Sequence, residues 1–267
     1  MIRKELRQRL RERRSWLLPA IYVLLLSTVV LFAYSETSQR QSNGTVQGAD
    51  VGMSIFVATI IAQAIVLLLM APVFSAGGIT IEKEQRTFAA LLTTLLTPTE
   101  IWWGKFVSSL LYLVLLLFCS LPLLALSFAF GGVEPAEMLQ ATGYTILVLA
   151  AICSLGLLCS ALFRRSVHST AAAYGLVLAL TVLTTVAFMF TEEHWRNAPR
   201  FAGEDSQPAF VQAPLWLNPI YPLLSLMDKS GPNEFKYVLS SCLLFGAMLL
   251  LAAAFTMRLL KKSGEQV

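Results

Sequence analysis

Charge is scarce in this chain: 13% of its 267 residues are Asp, Glu, Lys or Arg, against about 25% in an ordinary soluble domain. That shortage excludes a globular surface solvated on all sides. Histidine is scarcer still, and the two present, His168 and His194, fall on opposite sides of the membrane predicted below. They cannot share a metal ion, and none of the four cysteines, Cys119, Cys153, Cys159 and Cys242, is paired at a metal-ligand spacing. All four cysteines lie inside apolar runs, so no external disulfide is expected, and they read as small packing residues. A phosphate-cradling G-x-x-x-x-G-K-[S/T] loop is also missing. Gly104-Lys105 is the single Gly-Lys pair, it is followed by Phe106, and no glycine precedes it at the right distance. No catalytic, cofactor-binding or metal-binding residue is expected in this chain.

Hydrophobic residues make up 56% of the sequence, in long runs. Spans of about 20 apolar residues, enough to cross a bilayer, fall at 16–34, 51–74, 106–130, 141–163, 170–190 and 237–260. The expectation is an all-α polytopic membrane protein with six transmembrane helices in a single domain over 1–267. The first span is followed by no A-x-A-like site and is as long as the others, so it is expected to stay in the mature chain. An even number of spans puts both termini on one side. Fifteen Lys and Arg fall there, seven of them in the N-terminal arm, against five (Arg40, Arg196, Arg200, Lys229, Lys236) opposite. The positive-inside rule then makes the termini cytoplasmic. The net charge of +4 describes that orientation and gives no case for nucleic acid. Every charged residue and histidine can be placed in a loop or at a span end, leaving Gln63, Ser, Thr and Cys inside. An ion-coupled carrier or a membrane-embedded acid–base enzyme would need an ionisable group there.

The connector over 80–105, TIEKEQRTFAALLTTLLTPTEIWWGK, is far longer than a turn requires. At 3.6 residues per turn Phe88, Leu91, Leu92, Leu95 and Leu96 share one side of a helix. Glu82 and Arg86 stand i,i+4 with the acid first, the favourable order for an ion pair. Thr97-Pro98-Thr99-Glu100 reads as a capping box with proline at the first helical position. Trp102, Trp103 and Lys105 follow, as expected where a helix enters the membrane interface. Gly77 and Gly78 mark the bend into this segment.

Read together, I-E-K-E-Q-x-T-F-x-x-L-L-T-T-x-L-T-P-T-E-I-x-x-G-K between the second and third of six spans, after a basic arm, resembles the permease subunits of type-2 ABC exporters. That resemblance implies that the segment is a cytoplasmic coupling helix docking on a separate ATPase. By position, Glu82 and Glu84 match the family's acidic pair, Thr87 its threonine, Leu91 and Leu92 its apolar pair, Pro98 its proline and Lys105 its terminal lysine. Arg86 departs from the pattern, which commonly has glycine there. The implied coupling residues are Glu82, Glu84, Arg86, Thr87, Phe88, Leu91, Leu92, Leu95 and Pro98. The resemblance further implies an amphipathic elbow helix over 2–14, with Arg7, Leu10 and Arg14; a disordered basic tail is the competing reading. It implies two ATPase copies carrying ATP and Mg, a second permease, identical or related, and a bacterial cytoplasmic (inner) membrane. A periplasmic or accessory protein is also compatible with it.

Opposite the termini, 191–236 contains Pro208, Pro214, Pro219, Pro222 and Pro232 and an apolar stretch, 210–227, too broken to span and too apolar for water. It reads as a re-entrant or interfacial hairpin with Trp216 and Tyr221 near the headgroups. By resemblance, Trp216, Pro219 and Tyr221 would close the outer end of a translocation path; a lid without a gating role is the alternative. Gly156-x-x-x-Ser160 and Ala171-x-x-x-Gly175 each allow close helix approach, expected within the monomer. Arg164, Arg165 and His168 read as a charged stop, and Asn43-Gly44-Thr45 is a weak glycosylation pattern. The alternatives to export are a membrane scaffold or assembly subunit driven by an ABC ATPase without solute transport, and a membrane-embedded enzyme.

Overall fold

The computed structural model describes residues 17–42, 48–87, 97–197, 209–226 and 234–264. It is helical, with no strand among the described residues. In chain order the elements are α1 (Leu17–Ser42), α2 (Gly48–Ser75), α3 (Thr80–Glu84), α4 (Pro98–Phe130), α5 (Pro135–Leu162), α6 (Ser166–Leu178), α7 (Thr184–Asn197), α8 (Ala209–Leu217), α9 (Tyr221–Ser225) and α10 (Glu234–Gly264). Six membrane-length apolar helices result, with α6 and α7 forming the fifth through a π-helical segment, Ala179–Leu183. The elbow residues Arg7, Leu10 and Arg14 and the Asn43-Gly44-Thr45 triplet lie outside the described residues.

Two spans start earlier than their apolar runs, because caps and not hydropathy set helix ends. The third begins at Pro98, not 106: Thr97 Oγ1 accepts from Glu100 N at 3.3 Å, and Glu100 returns a carboxylate oxygen to Thr97 N at 2.8 Å. Trp102, Trp103 and Lys105 therefore belong to α4, not to the connector. Of the two tryptophans only Trp103 is exposed, whereas Trp102 is 1% exposed and stacks on Phe106 at 4.7 Å between ring centroids. At the start of this helix Trp102 therefore faces the protein core and Trp103 faces outward. The fourth span begins at Pro135, not 141, with Glu137 accepting from Glu134 N at 3.1 Å. Gly131 and Gly132, at φ 83° and 90°, turn the chain between α4 and α5 through conformations a side chain would resist.

Helices in lipid gain no hydrophobic free energy from meeting each other, so close backbone approach and interhelical hydrogen bonds decide the packing. The most buried span is α5, which packs on α10, α2, α6 and α4, while α1 and α4 flank α2. Gln63 of α2 is fully buried and accepts a hydrogen bond from Ser120 Oγ of α4 at 2.5 Å. Gly156 of α5 sits against Ser75 at the end of α2: a Cβ there would lie 1.9 Å from Ser75 Oγ. The expected close approach at Gly156 and Ser160 is therefore met inside the protomer. At Ala171 and Gly175 it is not. Both are exposed, and a Cβ on Gly175 would meet nothing within 4 Å, so that face of α6 is open.

These two kinds of glycine separate experimentally. Gly156→Ala should destabilise the detergent-solubilised protein by about 1–3 kcal/mol, the range for overpacking. Gly246→Ala, in open space on α10, should be neutral or stabilising by up to about 1 kcal/mol. Thermal unfolding of both variants checks the order, and an equal effect would contradict the packing described.

Candidate functional site: the post between the second and third spans

After Ser75 the chain leaves the helix for a turn over 76–79 and resumes it as α3. Such a break strands backbone N–H groups, which at membrane depth must find partners inside the protein. Ser160 of α5 supplies them: its Oγ accepts from Ile79 N at 2.8 Å and Thr80 N at 2.9 Å, capping α3 from a residue 80 positions away. Around that point the end of α2 is tied to two more spans. Ser109 Oγ of α4 donates to Phe74 O at 2.9 Å, and from α6 Ser169 Oγ donates to Ala76 O at 2.9 Å.

The charged side chains of α3 complete the attachment. Glu82 forms an ion pair with Lys105 of α4, 2.5 Å between Oε1 and Nζ. The i,i+4 pair expected between Glu82 and Arg86 is thereby corrected: α3 ends at Glu84, and Arg86 has already left the helix. Lys83 reaches the last turn of α5, where its Nζ donates to the carbonyl oxygens of Ser160 and Phe163, both at 3.2 Å, and of Ala161. Those are carbonyls a helix terminus leaves unpaired, and a cation there also meets the negative end of the helix dipole. Glu84 does the converse for α6. Its two carboxylate oxygens accept from Ser166 N and Ser166 Oγ, each at 2.7 Å, placing negative charge on a helix N-terminus. A five-residue helix is thus bonded at once to α4, α5 and α6.

The exit from this post explains the odd residue in the motif. Arg86 has φ 57°, the single positive value at a non-glycine among the described residues. Its N–H donates to Lys83 O at 3.3 Å, and Thr87 N donates to Glu82 O at 3.0 Å. Those are the two bonds of a Schellman motif, with Arg86 at the left-handed position glycine normally fills. Pro98 opens α4 at the other side of the gap. Phe88, Leu91, Leu92 and Leu95, expected on the coupling helix, lie outside the described residues.

At the opposite end of the bundle, α8 and α9 form a hairpin folded back against α7, α10 and α2. Its tip is held by Asn218, which is 5% exposed. The Asn218 amide donates to Thr181 O, Thr184 Oγ1 and Thr185 Oγ1 at 3.3, 3.1 and 2.9 Å, around the π segment. Its oxygen accepts from Ile220 N and Tyr221 N at 2.9 and 3.2 Å, which shapes the turn. Thr181 stands fifteen residues along from Ser166, about 22 Å at 1.5 Å per residue, so the tip packs against the middle of the fifth apolar helix. Pro219 is buried there, and Trp216 and Tyr221 are half-buried beside it, Tyr221 with its ring centroid 6.4 Å from that of Phe188. Trp216 and Tyr221, expected near the headgroups, thus stand beside this buried tip. Asn218 was missed from the sequence, although Asn-Pro is a turn-initiating pair.

The arrangement defines a class first: an integral membrane protein with two helix-breaking constructions, a clamped post at one end and a hairpin packed on the fifth and sixth spans at the other. Residues 1–263 match the family model described as ABC-2 family transporter protein, so the chain belongs to that family and is a permease-type membrane subunit of an ABC transporter. Such subunits are typically non-catalytic, and the family implies an ABC ATPase partner. A comparison with curated proteins finds no match.

Arg86→Gly should relieve the left-handed strain and stabilise the folded protein by about 1 kcal/mol, whereas Arg86→Val should destabilise it by at least as much. Thermal unfolding in detergent measures both, and a loss of stability in the glycine variant would contradict the motif.

Proposed function

We propose that this chain is the permease subunit of an ABC exporter, driven by a separate ATPase that docks on the segment after Arg86. Supporting this is the attachment of α3, immediately before that segment, to the third, fourth and fifth spans by Lys105, Ser160 and Ser166. A displacement applied to 88–96 therefore acts on several spans together, with Pro98 at the start of α4 passing it to the third. Glu82 and Glu84 serve this reading as anchors of the coupling segment, since both carboxylates already have partners within the chain. The driving free energy lies in different contacts made by the ATPase in its open and closed states, because a segment bound equally by both would not move.

The assembly in this reading holds two ATPase copies, which carry ATP and Mg, and two permeases, identical or related. It sits in a bacterial cytoplasmic membrane with both termini cytoplasmic, as the distribution of basic residues favours. The hairpin with Trp216, Pro219 and Tyr221 then lies at the outer end as a gate.

Purification in gentle detergent from native cells should recover a Walker-motif ATPase with this chain. Leu92→Pro should abolish its retention or its stimulation. Glu84→Ala should lower stimulation several-fold while membrane insertion stays normal. Recovery of the intact chain without any ATPase would remove the exporter reading. Full stimulation without net solute movement would favour the scaffold reading.

A further inference from the structure

A groove of about 530 Å³ runs between the fourth and sixth spans, and every residue that lines it is apolar. Leu155 and Leu158 of α5 form one wall, α10 forms the other, and Leu217 of the hairpin also lines it. Next to the lining residues on both helices, Ser154 Oγ donates to Leu249 O at 3.1 Å and ties α5 to α10. Along α10 the groove follows one stripe, Leu244, Met248, Leu251 and Phe255, at the spacing of a single helix face. From Leu244 to Phe255 the stripe is about 16 Å long by helical rise, close to one leaflet, which is half of a hydrocarbon core about 30 Å thick. Spread over that length, the volume gives a mean cross-section of about 33 Å². A helix about 10–12 Å across needs about 80–110 Å², so the groove is too narrow for a partner helix to enter and suits a single acyl chain. The stripe does not end with the groove. Arg258 and Lys262 continue it three and seven residues after Phe255, and both are exposed. As the fourth and sixth of six spans, α5 and α10 run in the same direction, so with Ser154 beside Leu249 the last residue of α5, Leu162, comes level with Arg258. Helical side chains tilt toward the N-terminus of their helix, and those of Arg258 and Lys262 thus set out in the direction of the groove.

We propose that this groove binds one anionic phospholipid of the surrounding bilayer, with an acyl chain lying along Leu244 to Phe255 and its phosphate head group on Arg258 and Lys262. The chain alone gains little over bulk lipid, because lipid tails are as apolar as leucine. Selectivity therefore comes from the head, where a guanidinium matches phosphate geometry and an ammonium adds a point charge. Binding here needs neither nucleotide, ATPase nor a second permease, so it can fail while the coupling reading stands.

The test uses the full chain in phosphatidylcholine nanodiscs with a trace of one of two probes, phosphatidylglycerol or phosphatidylcholine, each carrying a photoreactive diazirine at the end of one acyl chain. Labels should concentrate on 244–248, the end of the groove far from Arg258. The phosphatidylglycerol probe should label there about tenfold more than the phosphatidylcholine probe, the size expected for two basic side chains near an anionic head group. Arg258→Gln combined with Lys262→Gln should make the two probes equal. Ala247→Trp and, separately, Leu251→Trp fill the groove and should cut labelling there to the level of other lipid-facing residues; size-exclusion profiles identify any variant that fails to fold, and the other then decides. Equal labelling of the unmodified chain by the two probes would overturn the head-group assignment. Labels spread evenly over the lipid-facing residues and unchanged in the filled variants would overturn the groove. Disulfide-linked dimers formed by Leu251→Cys in phosphatidylglycerol vesicles, and not by the unmodified chain, would place a second copy over the groove and overturn the lipid.

Discussion

The chain leaves the second helix before it has left the protein, and a free N–H at that depth costs several kcal/mol if it finds no partner. Most of what surrounds the break is an answer to that cost. Ser160 stands where its oxygen meets two stranded donors, and Gly156, one turn earlier, lets α5 approach closely enough for it to do so. Lys83 and Glu84 then treat the ends of α5 and α6 in the same way, one satisfying carbonyls and the other the N–H and hydroxyl of Ser166. Three helix termini that would each be a liability become one connected unit.

The hairpin answers the same constraint differently. A turn at 218–220, buried among helices, exposes backbone groups that Asn218 takes up with its oxygen, while its amide engages the fifth span. The partner carbonyl, that of Thr181, lies in a π-helical stretch, where the regular i→i+4 ladder is interrupted. Irregular backbone on one element is matched with irregular backbone on the other.

Number of spans, helical class and the capping box at Thr97 were legible in the sequence because they depend on apolar length and local hydrogen bonding. The starts of α4 and α5 were not, since hydropathy marks where a helix enters lipid and not where its cap begins. Glu82 was visible as an acid with a cation one turn away, yet its partner is Lys105, 23 positions along, and spacing along one helix cannot reveal a contact between two. Arg86 was visible only as a departure from a family pattern; its left-handed backbone gives that departure a physical meaning. Asn218 carried a turn signal in Asn-Pro, but nothing local shows that its amide reaches three acceptors on another span.

The π segment also constrains how this span can vary in length. One residue more than an α-helix needs is accommodated at Ala179–Leu183, and each residue turns a helix by about 100°. Because the wider π-turn takes up the extra residue locally, removing it would restore a regular helix with Thr184 and Thr185 still facing the hairpin, whereas removing a residue from the α-helical part of the span would turn the whole outer half away. The residue count of the fifth span is therefore tied to the direction of its outer half everywhere except at the π segment, where one residue can be lost without turning it.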